Sequence, residues 1–112
     1  MNPKELEVEK KRVSKYHTYY TLYGSMTITN STNLVNMICR EIVEQYIRNI
    51  TLDMREVKYI DSFGIGGLMK CNTVMKDTKD SSAKLEILIS ENLFAKLSTA
   101  GLDKMLDLKV ME

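Results

Sequence analysis

The feature that most constrains this chain is a repeated change of apolar period along its length. Leu6 and Val8 alternate with Glu5, Glu7 and Glu9, the two-residue period of a half-buried strand. Residues 16–23, YHTYYTLY, are rich in tyrosine and threonine and read as a second strand, ended by Gly24. The connection near Lys11 to Lys15 has no Gly, Pro, Asn or Asp, so its turn type is not legible. After Thr29-Asn30-Ser31-Thr32-Asn33, a cluster suited to capping a helix, the period becomes helical. Val35, Ile38, Cys39, Ile42, Val43 and Tyr46 fall on one stripe. Ile50, Leu52 and Met54 then alternate with Thr51 and Asp53 as a third strand. Arg55-Glu56 reads as a polar connector, after which Val57, Tyr59 and Ile60 return apolar surface to the core. A second helix carries Ile65, Leu68, Met69, Cys71 and Met75, and Asp77 to Ser82 is a polar loop. Leu85, Ile87, Leu88 and Ile89 form the near-continuous run expected of a strand covered on both faces. Leu93, Phe94 and Leu97 mark a short third helix stopped by Gly101. Leu106, Leu108 and Val110 alternate with Asp107 and Lys109 as a last strand.

Strands alternating with helices imply an α/β layered domain. The opening hairpin makes the sheet mixed. The expectation is a single domain over residues 1–112, with four to five strands packed against three or more helices. A chain of 112 residues buries roughly two-thirds of its unfolded surface, enough for a core without staples. Its 44% hydrophobic and 28% charged content is that of a globular chain and argues against disorder. Two cysteines and one histidine supply neither a disulfide framework nor a four-ligand zinc site.

No apolar run reaches the roughly 18 residues of a membrane span. Met1 to Lys11 is charged and lacks the apolar stretch of a secretory signal. A cytoplasmic protein with reduced thiols is expected. Sixteen basic against 15 acidic residues leave a net charge of +1, which argues against direct nucleic-acid binding. Lys10-Lys11-Arg12 with Lys15 is the only local basic surplus and reads as a solvated strand and turn.

Motifs that carry chemistry are scarce. Gly64, Gly66 and Gly67 open the second helix, but a dinucleotide fingerprint needs glycine where Met69 stands, and no phosphate-binding G-K-[ST] follows. No cofactor is implied. His17 has no second ligand beside it, and both cysteines sit on apolar helical faces as small hydrophobes. No paired acid and base or nucleophile and base is readable, which argues against an enzyme. Asp61-Ser62 is the exception. Asp and Ser both suit an N-cap, yet capping does not explain three glycines in the first turn. Glycine weakens a helix by up to about 1 kcal/mol relative to alanine and leaves the backbone open to close approach. A phosphate on the Ser62 hydroxyl would lie at the positive end of the helix dipole and add about −1.5 to −2 charge.

From Ile50 to Ile65 the chain reads ITLDMREVKYIDSFGI. This resembles the central segment of the STAS domain of bacterial anti-sigma factor antagonists, in which a strand and a short connector lead into D-S-[small]-G-[aliphatic]-G. YTLYGSMT, residues 20–27, resembles the strand and glycine corner before that family's first helix. SENLFAKLSTAGLDKM, residues 90–105, resembles its last helix and following loop. The resemblance implies a small STAS-like sandwich. It implies a non-catalytic switch that binds an anti-sigma factor serine kinase while Ser62 is unmodified. On the same resemblance, that kinase would phosphorylate Ser62 and so end the binding, and a serine phosphatase would reset it. Asp61 would shape the site, Gly64 and Gly66 would admit the partner, and the corner at Gly24, Ser25 and Thr27 would add to the partner surface. Phe63 stands where the family places a small residue, so it either anchors the partner or tucks into the core and shifts Ser62. The corner also lacks the acidic residues of the family's G-E-[LI]-D version. The sequence does not decide whether other serines, such as Ser31, are modified. The competing expectation is a non-switching STAS scaffold subunit in a stress-signalling assembly or a lipid-transport complex.

Overall fold

The computed structural model describes residues 5–111. A five-stranded sheet runs in the order β1-β2-β3-β4-β5. Its strands are β1 (Leu6–Ser14), β2 (His17–Met26), β3 (Asn49–Ile60), β4 (Lys84–Ile89) and β5 (Asp107–Val110). Three helices connect them: α1 (Ser31–Glu44), α2 (Ser62–Asp77) and α3 (Glu91–Thr99), with a short 3-10 turn at Leu102–Lys104. β1 pairs antiparallel with β2, and every later neighbour pairs in parallel. The mixed α/β fold read from the sequence is therefore the fold of the chain.

The core lies between the helices and one face of the sheet, with Tyr20, Leu22, Ile38, Ile42, Ile50, Leu52, Leu68 and Ile87 at its centre. The other face carries Tyr19, Thr21 and Tyr23 beside Asp53 and Arg55. Asp53 accepts from the Arg55 guanidinium at 2.7 and 2.9 Å and from the Tyr19 hydroxyl at 2.9 Å.

The first connection is shorter than Lys11 to Lys15, because β1 keeps pairing with β2 as far as Ser14 and leaves only Lys15 and Tyr16 to turn. Four further details differ from the sequence reading, each for a physical reason. Arg55-Glu56 is not a connector. β3 runs unbroken through it, and its register against β2 slips once between Asp53 and Glu56 and again between Val57 and Tyr59. Each slip adds one residue to β3, as a β-bulge does. Bulges shift the alternation, so the inward residues run Ile50, Leu52, Met54, Val57, Ile60, while Tyr59 stays half-exposed.

Gly24 does not end β2, which continues to Met26. It has φ +102°, and a Cβ there would lie 2.1 Å from the Glu5 carbonyl oxygen. Only glycine lets β1 close against β2 at this point.

The α1 stripe is rotated. Leu34, Val35, Ile38, Glu41 and Ile42 are buried, whereas Val43 and Tyr46 are exposed. A charged residue inside the stripe disguised it.

The basic run is not simply solvated. Lys10 and Arg12 reach over the sheet edge to Glu41, at 3.0 and 3.4 Å. Glu41 is 1% exposed and also accepts from the hydroxyls of Thr18 and Tyr20. Burial, and then the Glu41 carboxylate, push the Tyr20 phenol above its ordinary range.

Candidate functional site

The Asp61-Ser62 segment lies where β3 passes into α2. Asp61 is extended, at φ −98° and ψ −178°, and its carboxylate accepts from the Gly64 N–H at 2.9 Å. It is the N-cap, so Ser62 is the first helical residue. The Ser62 side chain is exposed and makes no hydrogen bond with any described residue. One segment thus divides two tasks, with Asp61 capping and Ser62 left free.

Asp61 has a second partner. Its other carboxylate oxygen accepts from the Ile28 N–H at 3.2 Å, tying α2 to the loop between β2 and α1. The Gly64 bond, with help from the Ile28 and Phe63 N–H groups and the charge of Lys96, holds the Asp61 carboxyl below the usual carboxylate range. Lys96, on α3, donates to the Ile60 carbonyl and lies 4.6 Å from the centre of the Tyr59 ring. The β2–α1 loop is itself braced. Asn30 accepts from the Thr27 N–H and donates to the Ser25 carbonyl, both at 2.9 Å.

The three glycines of the first turns do different work. A Cβ on Gly64 would lie 2.6 Å from the Met26 carbonyl oxygen, and one on Gly67 would lie 2.7 Å from a Val35 methyl. Both let α2 sit down on its neighbours. A Cβ on Gly66 would meet no described residue within 4 Å. Close approach by another molecule is therefore open at Gly66 and closed at Gly64, which is buried.

Between α1 and α2 runs a groove of about 330 Å³ whose lining includes Ile28, Val35, Ser62, Phe63, Gly66 and Lys70. Phe63 is 59% exposed and Ile28 53%, so Phe63 points outward and leaves the backbone at Ser62 undisturbed. Gly24 and Ser25 are buried within the sheet, and Thr27 is half-buried. From that corner it is Ile28 that reaches the surface. Ser31 is 4% exposed, unlike Ser62. The residues missed from sequence are Ile28, an apolar residue just ahead of the capping cluster, and Lys70. Lys70 follows Ser62 and Gly66 at four-residue steps, a spacing that marks one helix face.

A larger concavity of about 770 Å³ lies on the open sheet face around Tyr19, Asp53 and Arg55. Its central charges satisfy one another, so size alone does not make it the site.

The STAS domain model matches residues 8–111. The chain belongs to the STAS domain family. Solved structures agree in fold. The unphosphorylated anti-sigma factor antagonist SpoIIAA aligns over 95% of this chain and 88% of its own, with a TM-score of 0.73 and 13% identity. The phosphorylated form of the Bacillus cell fate determinant SpoIIAA aligns over 95% and 92%, with a TM-score of 0.75 and 13% identity. The murine anion transporter Solute Carrier 26 family member A9 aligns over 87% of this chain but only 16% of its own, with a TM-score of 0.68 and 14% identity. No curated protein matches the chain in sequence. Among the described residues, no helix of this STAS chain is long and apolar enough to cross a membrane.

Proposed function

We propose that this protein is an anti-sigma factor antagonist switched by phosphorylation of Ser62. Unmodified, it binds a kinase-type anti-sigma factor through the α1–α2 surface and frees the sigma factor for transcription. Phosphorylated on Ser62, it lets go, and a serine phosphatase returns it to the binding form. The chain itself performs no catalysis and acts in the cytoplasm. The observation that carries this reading is the division of labour at the start of α2. Asp61 takes the cap, so the Ser62 hydroxyl stays exposed and unbonded beside an apolar groove. A serine that capped the helix would have its oxygen occupied by an N–H group.

The chemistry of release follows from the same geometry. A phosphate on Ser62 would stand next to the ionised Asp61 and add about −1.5 to −2 charge. It would make that end of the groove strongly negative and leave it no room to act as a neutral docking point.

The test is a paired capture from native lysate with Ser62→Ala and Ser62→Asp baits, each checked for folding, and retained proteins identified by mass spectrometry. The expected result is a kinase-like anti-sigma factor held by the alanine bait and lost from the aspartate bait. Identical partners on both baits would overturn the reading. The second reading, a non-switching STAS scaffold, draws support from the likeness to a segment of an anion transporter. Transporter or large scaffold subunits on both baits would be its signature.

A further inference from the structure

The groove that begins at Ser62 ends at Lys70, and the surface between them is bare. Ser62, Gly66 and Lys70 fall at i, i+4 and i+8 on α2 and share one face. Glycine weakens a helix interior relative to alanine, yet neither packing nor backbone angle asks for it at Gly66. No described residue lies within 4 Å of where its Cβ would be, and its φ is not in the left-handed region. Val35 adds apolar lining from α1, and the exposed Ile28 and Phe63 add more. Among the described residues, Lys70 is the only charged one lining the groove, and it makes no ion pair with any of them.

We propose that this groove receives a partner segment carrying an acidic side chain next to an apolar one. The apolar side chain lies on Gly66 and Val35 between Ile28 and Phe63, and the carboxylate meets Lys70. The inference rests on the reading of Ser62 as the regulated position and adds the chemistry of what binds beside it. A partner that buries this apolar lining also desolvates Lys70, and a lone desolvated cation is costly unless an anion pairs with it. A carboxylate supplies the anion. It also fits with release: a phosphate on Ser62 puts like charge at the other end of the same groove, about 12 Å along the helix, where its repulsion adds to the phosphate's own bulk and hydration at the docking edge.

A random-sequence displayed peptide library tests this directly, since it imposes no choice of partner. It is selected on the folded full chain, and the best peptides are then measured against Lys70→Glu, Lys70→Met, Gly66→Leu and Ser62→Asp, each with its thermal unfolding recorded. The expected peptides pair Asp or Glu with Leu, Ile, Met or Phe. They lose about tenfold or more in affinity on Lys70→Glu and on Gly66→Leu. They lose less on Lys70→Met, and they weaken as salt is raised. Peptides without acidic enrichment, or binding indifferent to Lys70→Glu in a folded variant, would overturn the proposal. So would concentration-dependent self-association abolished by Gly66→Leu, which would make the occupant a second copy of this chain. The two readings fail separately. If Lys70→Glu loses the peptides while the Ser62→Asp lysate bait keeps all its partners, the groove chemistry stands and the switch falls. If Ser62→Asp sheds the lysate partner while Lys70→Glu changes nothing, the switch stands and the acidic occupant falls.

Discussion

The carboxylate of Asp61 accepts a hydrogen bond from the main-chain N–H of Ile28, 33 residues earlier, at 3.2 Å. Its other oxygen caps α2 through Gly64 at 2.9 Å. One side chain therefore fixes the helix that carries Ser62 and the loop that carries the exposed Ile28. Asp61→Ala removes both bonds. Amide hydrogen exchange should speed up at Gly64 and at Ile28 together, with a fall in Tm. Asp61→Asn keeps an acceptor oxygen and should preserve the slow exchange of one of the two amides better than alanine does. Loss of protection at Gly64 alone would show that the loop is held by other means, such as the Asn30 bonds to Thr27 and Ser25.

The three glycines near Ser62 make opposite predictions. Gly66→Ala places its methyl in open space and should raise stability by up to about 1 kcal/mol, the difference in helix propensity. Gly64→Ala and Gly67→Ala press a methyl against the Met26 carbonyl and the Val35 methyl and should cost about 1–3 kcal/mol each as overpacking. Gly64 should be the worse of the two, because a backbone carbonyl yields less than a side-chain methyl. Urea unfolding of the three variants measures the order. A destabilising Gly66→Ala would mean that its glycine serves the fold after all.

Glu41 anchors the first strand to the first helix. The carboxylate is buried, while its cationic partners Lys10 and Arg12 have side chains 38% and 45% exposed. Removal of either cation leaves the other on Glu41, and a partly exposed ion pair is worth little, so Lys10→Ala and Arg12→Ala should each cost less than about 1 kcal/mol. Glu41→Ala strands the hydroxyls of Thr18 and Tyr20 inside and leaves a void, at a cost of about 2–4 kcal/mol. Equilibrium unfolding of the three single variants checks this asymmetry. Equal losses would mean that the ion pairs dominate rather than the buried hydroxyl bonds.

What was legible in the sequence followed from periodicity, and what was not followed from interruptions of it. The order of strands and helices, the stop at Gly101 with its φ of 79° and the cap at Asp61 are local signals, and local signals survive folding. The bulges of β3 are not local. They exist because β2 and β3 must stay paired from His17 to Met26 while β3 bends, and a single strand read alone shows only a broken alternation at Arg55. Glu41 hid the buried stripe of α1 because its partners, Lys10 and Arg12, lie about 30 residues away on another element. At the site, Ser62 and Gly66 were readable as an odd serine and an odd glycine. Ile28 was not, since only the bond to Asp61 brings its loop beside α2.

Acid should unfold the protein through its paired carboxylates. Asp53 is held below the usual carboxylate range chiefly by the Arg55 guanidinium. Asp61 is held low by the Gly64 N–H, Asp80 by the Ser82 hydroxyl and N–H, and Glu86 by Lys109 at 2.6 Å. A carboxyl whose folded pKa lies below its unfolded value, about 3.9 for Asp and 4.3 for Glu, binds fewer protons folded than unfolded in that range. Its stabilisation is complete above the unfolded value and disappears as pH falls through the folded one. The urea midpoint should therefore hold from neutral pH down to about 5 and then fall steeply below about 4. Asp53 is the most enclosed of the four acids, 5% exposed. Its amide variant, Asp53→Asn, should start from lower stability at neutral pH, because Arg55 loses its ionic partner, and should show a shallower decline in acid. An unchanged acid slope in that variant would assign the loss to the other three carboxylates.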